Sequence, residues 1–438
     1  MGYEHYGGTK KILSFVAEDW KLLLFLTILF ALYFYYTSTF DFFEKKGVPY
    51  LKPTIFLGTL GPRLIGKRSF HDFQLDIYKH FQGKPYGGIF EGRRPNLYVF
   101  NPDLIKAVTI RDFDHFVDRN FLNLNQPRYL SRSLLHLKVA EKFNYMSKSK
   151  RFLIFFVLMF MPKIFQYLNI SLMHRETCAE LMRMLKAAKA ERRQSGVRKN
   201  DFLQLLLDTY EEDKKSDNMK CKFLLFVCLD DDTIDAQALL FLIAGYETSG
   251  TLLSFAVHTL AIHPELQENL RANIKEETEG KELSYDLLMQ LPMLEGFLLE
   301  TLRIYPPFAL VDRLCVKEYT LPGTNVMVDV GDVVSVNIIG IHMDPNYYPE
   351  PEKFKPERFM YDEKKNRPSH LFLPFGLGSR NCIGLRFAML SVKTAMVALV
   401  KNFKFSICEK TENPVKFSSS GGILLKAENG LWVRIEAL

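Results

Sequence analysis

Paired cysteines are the first thing this sequence lacks. Its six cysteines, at 178, 221, 228, 315, 382 and 408, are scattered through 438 residues without a CxxC among them. Such spacing excludes a zinc ribbon or a disulfide framework and fits a reducing compartment. Tryptophan is nearly absent, with Trp20 and Trp432 alone. The net charge of +7 comes without any Lys/Arg-rich tract, so no nucleic-acid partner is expected. That mild positive balance suits an anionic membrane surface or an acidic partner. No small-residue cleavage site follows the N-terminal apolar run, which argues against a cleaved signal peptide.

What is present is a globular composition, 47% hydrophobic, with 37 phenylalanines promising an aromatic core. The length holds one large domain or two or three ordinary ones. Residues 1–20 carry no clear structure signal. Leu22–Phe40 then runs 19 residues without a charge, between Lys21 and Asp41. As a helix it is long enough to cross a bilayer core, and Tyr33, Tyr35 and Tyr36 suit the interface. Lys45 and Lys46 just beyond it place the bulk of the chain on the cytosolic side. Gly47-Val48-Pro49 with Pro53 reads as a stiff linker. The expected division is an N-terminal segment (1–21), an anchor (22–40), a hinge (41–53) and a body (54–438).

Along the body, apolar periodicity within residues 70–90 predicts a helix with Phe70, Phe73, Ile77 and Phe81 on one face, running into Gly83 and Pro85. Tyr86–Phe90 and Asn96–Phe100 follow as strands, and Asn101-Pro102 opens a helix from Asp103 to about Ile110. Phe152–Met161 is apolar but too short to span a bilayer. Residues 176–194 form a charged helix with a solvated face. Asp231/Asp232 cap a helix that runs to His263-Pro264, about 48 Å at 1.5 Å per residue. Gly296–Ile304 is helical until Pro306-Pro307 breaks it, and residues 325–339 alternate as strands do. At the C-terminus, Val415–Phe417, Ile423–Lys426 and Leu431–Glu436 read as strands, with Asn429-Gly430 as a turn.

Three local patterns carry chemistry. In Leu373–Gly384 (LPFGLGSRNCIG) one cysteine, Cys382, lies in a glycine-rich loop ahead of a helix. Gly376, Gly378 and Gly384 free the backbone to approach a flat ligand, while the helix N-terminus and Arg380 favour a thiolate. Thiolate is what a soft metal centre or haem iron takes, although a lone cysteine is more often an inert buried thiol. Ala244-Gly245-Tyr246-Glu247-Thr248 sits in the middle of the long helix, with small residues where a flat cofactor needs room. A mid-helix Thr diverts a backbone carbonyl from its usual bond, though by itself Thr248 reads as filler and Glu247 as a solvated acid. Glu300 and Arg303, three apart, share a helix face; alone they make a surface pair worth little. His342, in GIHMDP, reads as a hydrogen-bonded core or loop histidine rather than a metal ligand.

The order Phe375, Gly378, Arg380, Cys382, Gly384 resembles the haem-binding signature of cytochromes P450. AGYET (244–248), ETLR (300–303) and PERF (356–359) precede it in the order that family shows. The resemblance covers about residues 45–135 and 150–438 and its wording is nearest to insect microsomal members of the third clan. It implies a mainly α fold with small β-sheets behind an N-terminal membrane anchor helix. Cys382 would be the axial iron ligand of haem b, Arg380 and Arg313 would meet its propionates, and Phe375 would pack near the sulfur. Gly376, Gly384, Ala244 and Gly245 would line the haem, and Phe308-Ala309-Leu310 and the Ser418–Gly421 tip the substrate pocket. Thr248 would hold dioxygen and a water by hydrogen bond while Glu247 relays protons. Glu300, Arg303 and Arg358 would form a buried triad that fixes the cysteine loop. The implied activity inserts one oxygen atom into a lipophilic substrate. Electrons would come from NADPH through NADPH–cytochrome P450 reductase, with cytochrome b5 as a further partner. The implied location is the endoplasmic reticulum membrane, with the body on its cytosolic face.

The sequence departs from that family twice. After Lys138 it reads VAEKFNYMSKSK, without the helix whose tryptophan and arginine reach the haem, so the body is expected to be shortened near 139–150. FLLFVCL at 223–229 is an apolar insertion in a polar lead-in. These departures motivate a second reading, a membrane-anchored relative that folds poorly or does not turn over.

Overall fold

The computed structural model describes residues 6–119, 175–215, 231–360, 368–419 and 422–438. The stretches expected to be shortened (139–150), apolar (152–161) and inserted (223–229) lie outside the described residues. Helix α1, Tyr6–Thr37, begins well before the apolar run, in residues that carry no sequence signal of their own. Its segment from Leu22 to Tyr35 is exposed all round.

The hinge expected over 41–53 is instead built into the body. Phe43 and Val48 are buried against Phe90 and Leu97, and Tyr50 bridges Gly88 of the first strand. Lys46 closes the same contact from outside, 2.8 Å from Asp329 and 2.9 Å from Asp332. The glycine and prolines there signal a linker, but burial of the large apolar neighbours, about 1.5–3 kcal/mol each, decides the outcome.

Helix α2, Phe70–His80, starts at Ser69, whose hydroxyl accepts the Asp72 N–H at 3.0 Å. It seats Phe73 and Ile77 against Phe81, Tyr98 and Phe100. Strands β1, Tyr86–Glu91, and β2, Arg94–Val99, form a hairpin around Gly92-Arg93, with Gly92 at φ 64. Strands β3, Leu310–Leu314, and β4, Val333–Asn337, complete a sheet of order β1-β2-β4-β3, with β2 and β4 parallel. All five residues of β4 are buried, as suits the sheet's centre. The helix expected from Asp103 is an α-turn over Pro102–Lys106 that widens into a π-turn at Ala107–Arg111.

The other half is helical. Helices α3 (Arg175–Ser195) and α4 (Phe202–Lys215) pack on α5 (Asp231–Ile262), the long helix that the sequence delimits. Buried Lys189 of α3 pairs with buried Asp235 of α5. By length and composition alone α5 is apolar enough to cross a membrane, as a core helix is when covered on many sides. Helices α6 (Pro264–Thr278), α7 (Pro292–Ile304) and α8 (Leu385–Asn402) enclose its C-terminal half around Leu252, Leu260, Ile274, Phe297 and Val397. Strands β5 (Phe403–Ser406) and β6 (Arg434–Ala437) close the chain as an antiparallel pair. Val415–Phe417 and Ile423–Lys426, expected as strands, contribute isolated bridges, Phe417 to Ala427 and Phe308 to Leu424. The third expected strand shifts toward the C-terminus because Trp432 folds back, donating its indole N–H to the Asn429 carbonyl at 2.8 Å.

Candidate functional site

The cysteine loop begins on a buried strut. His342 ends a short helix, Ile338–His342, and is fully buried. Its Nε2 accepts the Leu373 N–H at 3.0 Å, and its Nδ1–H therefore donates to the Arg303 carbonyl at 3.1 Å. This is the hydrogen-bonded core histidine its surroundings in sequence suggest. Beyond Leu373 the chain turns twice with left-handed backbone, at Gly376 (φ 71) and Gly378 (φ 72). A side chain at 378 would overlap the Thr109 carbonyl of the π-turn, so this glycine is demanded by contact as well as by conformation. The Cys382 N–H then donates to the Phe375 carbonyl at 2.7 Å, which fixes the cysteine two residues before Gly384 caps α8. Cys382 is exposed, and its neighbour Ile383 is 84% exposed. A Cβ added at Gly384 would touch nothing but the Cys382 sulfur, 3.9 Å away.

Three guanidinium groups converge on this loop. Arg380 donates through Nε to the Val117 carbonyl at 3.0 Å and lies 3.9 Å from Asp118. Arg119 donates to the Arg380 carbonyl at 2.7 Å. Arg313 of β3 is fully buried and donates to the carbonyls of Asp312 (2.8 Å) and Leu377 (3.4 Å). Burial, with Arg119 and Arg380 nearby, pushes the Arg313 group down to about 10. Burial likewise lowers Arg119, partly offset by Asp312. The Asp312 carboxyl is raised by its own burial against the pull of Arg119, Arg313 and Arg94. Among the described residues, the buried Nε atoms of Arg119 and Arg313 have no hydrogen-bond partner. Positive charge is in excess there, and it needs anionic oxygen. Arg119 carries no sequence signal: it stands beside Asp118 in a loop, and only the fold brings it to Arg380.

Helix α5 carries the pentapeptide Ala244–Thr248. Among the described residues, apart from α5's own backbone, a Cβ at Gly245 would meet no atom within 4 Å. The Thr248 hydroxyl donates to the Ala244 carbonyl at 2.7 Å, and that of Thr251 to the Glu247 carbonyl at 2.8 Å. Glu247 is half-buried, whereas Tyr246 is exposed.

The frame behind the loop is fully buried. Arg303 grips Glu300 with Nε and Nη2, both at 2.8 Å, and reaches the carbonyls of His342 (2.8 Å) and Pro351 (2.7 Å). Glu300 also accepts the Lys355 N–H at 2.9 Å and lies 3.3 Å from Arg358. Gly296 is tied to this frame, since a side chain there would collide with the Pro356 carbonyl. An i, i+3 pair that looks like surface decoration is thus a core node.

A flat, dianionic ligand carrying a soft metal fits these donors. Among the described residues, the thiol is free, a Cβ at Gly245 or Gly384 would meet nothing closer than the Cys382 sulfur, and two buried guanidinium nitrogens have no partner. A family model described as cytochrome P450 matches residues 136–434. The chain belongs to the cytochrome P450 family. Curated relatives agree. Cytochrome P450 9e2 of Blattella germanica is 30% identical, over 95% of this chain and 97% of that protein. Cytochrome P450 3A9 of Rattus norvegicus is 30% identical, over 96% and 97%. Probable cytochrome P450 6a13 of Drosophila melanogaster is 29% identical, over 95% and 99%. Membership in the P450 family implies a haem cofactor and monooxygenase chemistry. These alignments extend over 522, 510 and 501 positions, more than the 438 residues of the chain, so the relatives contain residues with no counterpart here.

Proposed function

We propose that this chain is a haem-thiolate monooxygenase of the endoplasmic reticulum membrane, acting on lipophilic substrates on the cytosolic side. The observation that carries it is Cys382, exposed ahead of α8, with its N–H held by the Phe375 carbonyl and Arg313 of β3 donating to the Leu377 carbonyl of the same loop. Cys382 would ligate the iron, and Arg119, Arg313 and Arg380 would hold the propionates. When bound, haem b supplies a redox centre at which dioxygen is activated by electrons from NADPH, and its thiolate ligand pushes electron density toward O–O cleavage. The protein's own part is orientation and proton supply. Thr248 Oγ1 carries a proton that now rests on the Ala244 carbonyl, and turning it toward the open side beside Gly245 offers that proton to reacting oxygen. Glu247, one residue earlier and half-buried, replaces it from solvent. The triad of Glu300, Arg303 and Arg358 keeps the cysteine loop in place through His342. Leu22–Phe40 would anchor the chain, and NADPH–cytochrome P450 reductase, with cytochrome b5 as a further donor, would deliver electrons.

A second reading, a haem-binding or silent relative without turnover, is favoured by one observation. The alignments outrun the chain, and the sequence lacks the tryptophan-bearing helix near 139–150 that would share the propionates. The carbon-monoxide difference spectrum of the reduced, membrane-expressed protein separates the two. A red-shifted Soret band that Cys382→Ala abolishes supports the monooxygenase. An ordinary haem band leaves a relative without thiolate ligation, and absence of haem overturns the monooxygenase and supports a relative that folds poorly.

A further inference from the structure

The end of α1 is gripped by the body on two faces. Tyr35 and Tyr36 are successive, hence about 100° apart around the helix. The Arg93 guanidinium, at the β1–β2 turn, lies over the Tyr35 ring, 3.7 Å from its centroid. Tyr36 is buried and meets Phe56 edge-on, ring centroids 4.8 Å apart. Phe56 holds φ 68, a left-handed backbone that a phenylalanine adopts at a cost, so its ring is placed there against local preference. Arg93 also donates to the Ser38 hydroxyl at 3.0 Å, and its carbonyl accepts the Thr39 hydroxyl at 2.7 Å. Phe40 and Phe43 then stack edge-on against Phe90 of β1. No glycine or proline occurs from Tyr35 to Lys46. The first, Gly47, comes where the chain is already pinned by Lys46 and by buried Val48.

We infer that α1 and the body form one rigid unit, clamped by Arg93–Tyr35 and Tyr36–Phe56, so that the lipid bilayer around α1 dictates the body's orientation. One contact would leave the helix free to pivot; two faces and the hydrogen bond from the Thr39 hydroxyl to the Arg93 carbonyl remove both rotation and tilt. Ile55 and Phe56, each 42% exposed beside the helix end, are thereby held at headgroup height. The inference rests on the proposed anchoring of residues 22–40 and specifies it.

The test is electron–electron distance measurement on the full chain in phosphatidylcholine bilayer discs containing a minority of phosphatidylserine. Spin labels attached through non-natural residues at exposed Leu29 and Glu279 leave the cysteines untouched. The native distribution is expected to be narrow, and to broaden about twofold or more in Arg93→Ala/Tyr36→Ala, as for a body on a flexible tether. Phe56→Gly, where glycine is at ease at positive φ, removes the ring without stressing the fold and is expected to broaden it too. A broad native distribution, or variants as narrow as the native protein, overturns the clamp while leaving anchoring intact. Release of the chain from membranes by alkaline carbonate overturns the anchoring itself, and the clamp's purpose with it.

Discussion

The backbone N–H of Leu373 ends on Nε2 of His342, 3.0 Å away. The opposite ring nitrogen faces the Arg303 carbonyl at 3.1 Å, so one imidazole couples the buried triad to the first residue of the cysteine loop. The tautomer is dictated by the two partners, because an N–H can only be accepted by an unprotonated nitrogen.

His342→Ala strands a buried N–H and a buried carbonyl. Each costs about 1–3 kcal/mol, so urea unfolding should shift to clearly lower denaturant. The thiolate band should fade before the helices melt, and an unchanged band would show that the loop does not depend on this strut.

Glu300→Gln leaves Arg303 and Arg358 facing each other with their common carboxylate gone. Loss of one member of a fully buried pair costs about 3–5 kcal/mol. The expected outcome is a chain recovered without haem, mostly insoluble, and soluble yield with haem content measures it.

Two glycines of the loop should answer differently to alanine. Gly378→Ala collides with the Thr109 carbonyl at positive φ and should lower the thermal midpoint of the protein stripped of haem. Gly384→Ala meets only the Cys382 sulfur and has ordinary φ −88, so that midpoint should stay in place. Its effect should instead fall on haem affinity, read by haem titration.

Acid should destabilise the fold before carboxylates protonate. Burial pushes the His71 imidazole from its ordinary 6.5 down to about 4, with its Nε2–H donated to the Pro306 carbonyl. The unfolded chain therefore binds a proton that the folded one refuses, and stability present above pH 6.5 is lost as pH falls toward 4. His258, His263 and His370 are lowered by burial as well and act in the same direction. Urea midpoints measured between pH 7.5 and pH 4.5 should fall, by about 2–3 kcal/mol from His71 alone, and His71→Gln should flatten the slope.

Thr248→Val keeps helix α5 and removes the hydroxyl proton. Stability should change little, since a threonine bonded to its own helix contributes little to the fold. Product per dioxygen consumed should drop, by about 100-fold or more for a lost general acid, with peroxide appearing in its place. Thr248→Ser should restore most of the coupling.

The helices and strands that bear motifs were legible because local signals agree with burial. Asp231/Asp232 and His263-Pro264 bracket α5 in the sequence and in the structure. The hairpin of β1 and β2 is likewise where alternation and Gly92 place it. Illegible were features made by contacts between distant segments. Arg119 joins Arg380 across 261 positions, and no periodicity announces it. The segment 41–53 reads as a hinge from its glycine and prolines, yet Phe43 and Val48 find the sheet and fix it. Residues 139–150, where the sequence lacks the tryptophan-bearing helix, lie outside the described residues.

Helix α5 has one more consequence, for biosynthesis rather than catalysis. Among the described helices, Leu22–Thr37 is a shorter apolar stretch, whereas length and hydropathy alone would sort Asp231–Ile262 into the bilayer. At that helix's midpoint stands Glu247, and Asp231, Asp232 and Asp235 crowd its start. A carboxylate at the depth of the bilayer centre costs about 2.5–3.5 kcal/mol on insertion scales. The acid proposed for proton delivery therefore also weighs against insertion of α5 into a bilayer.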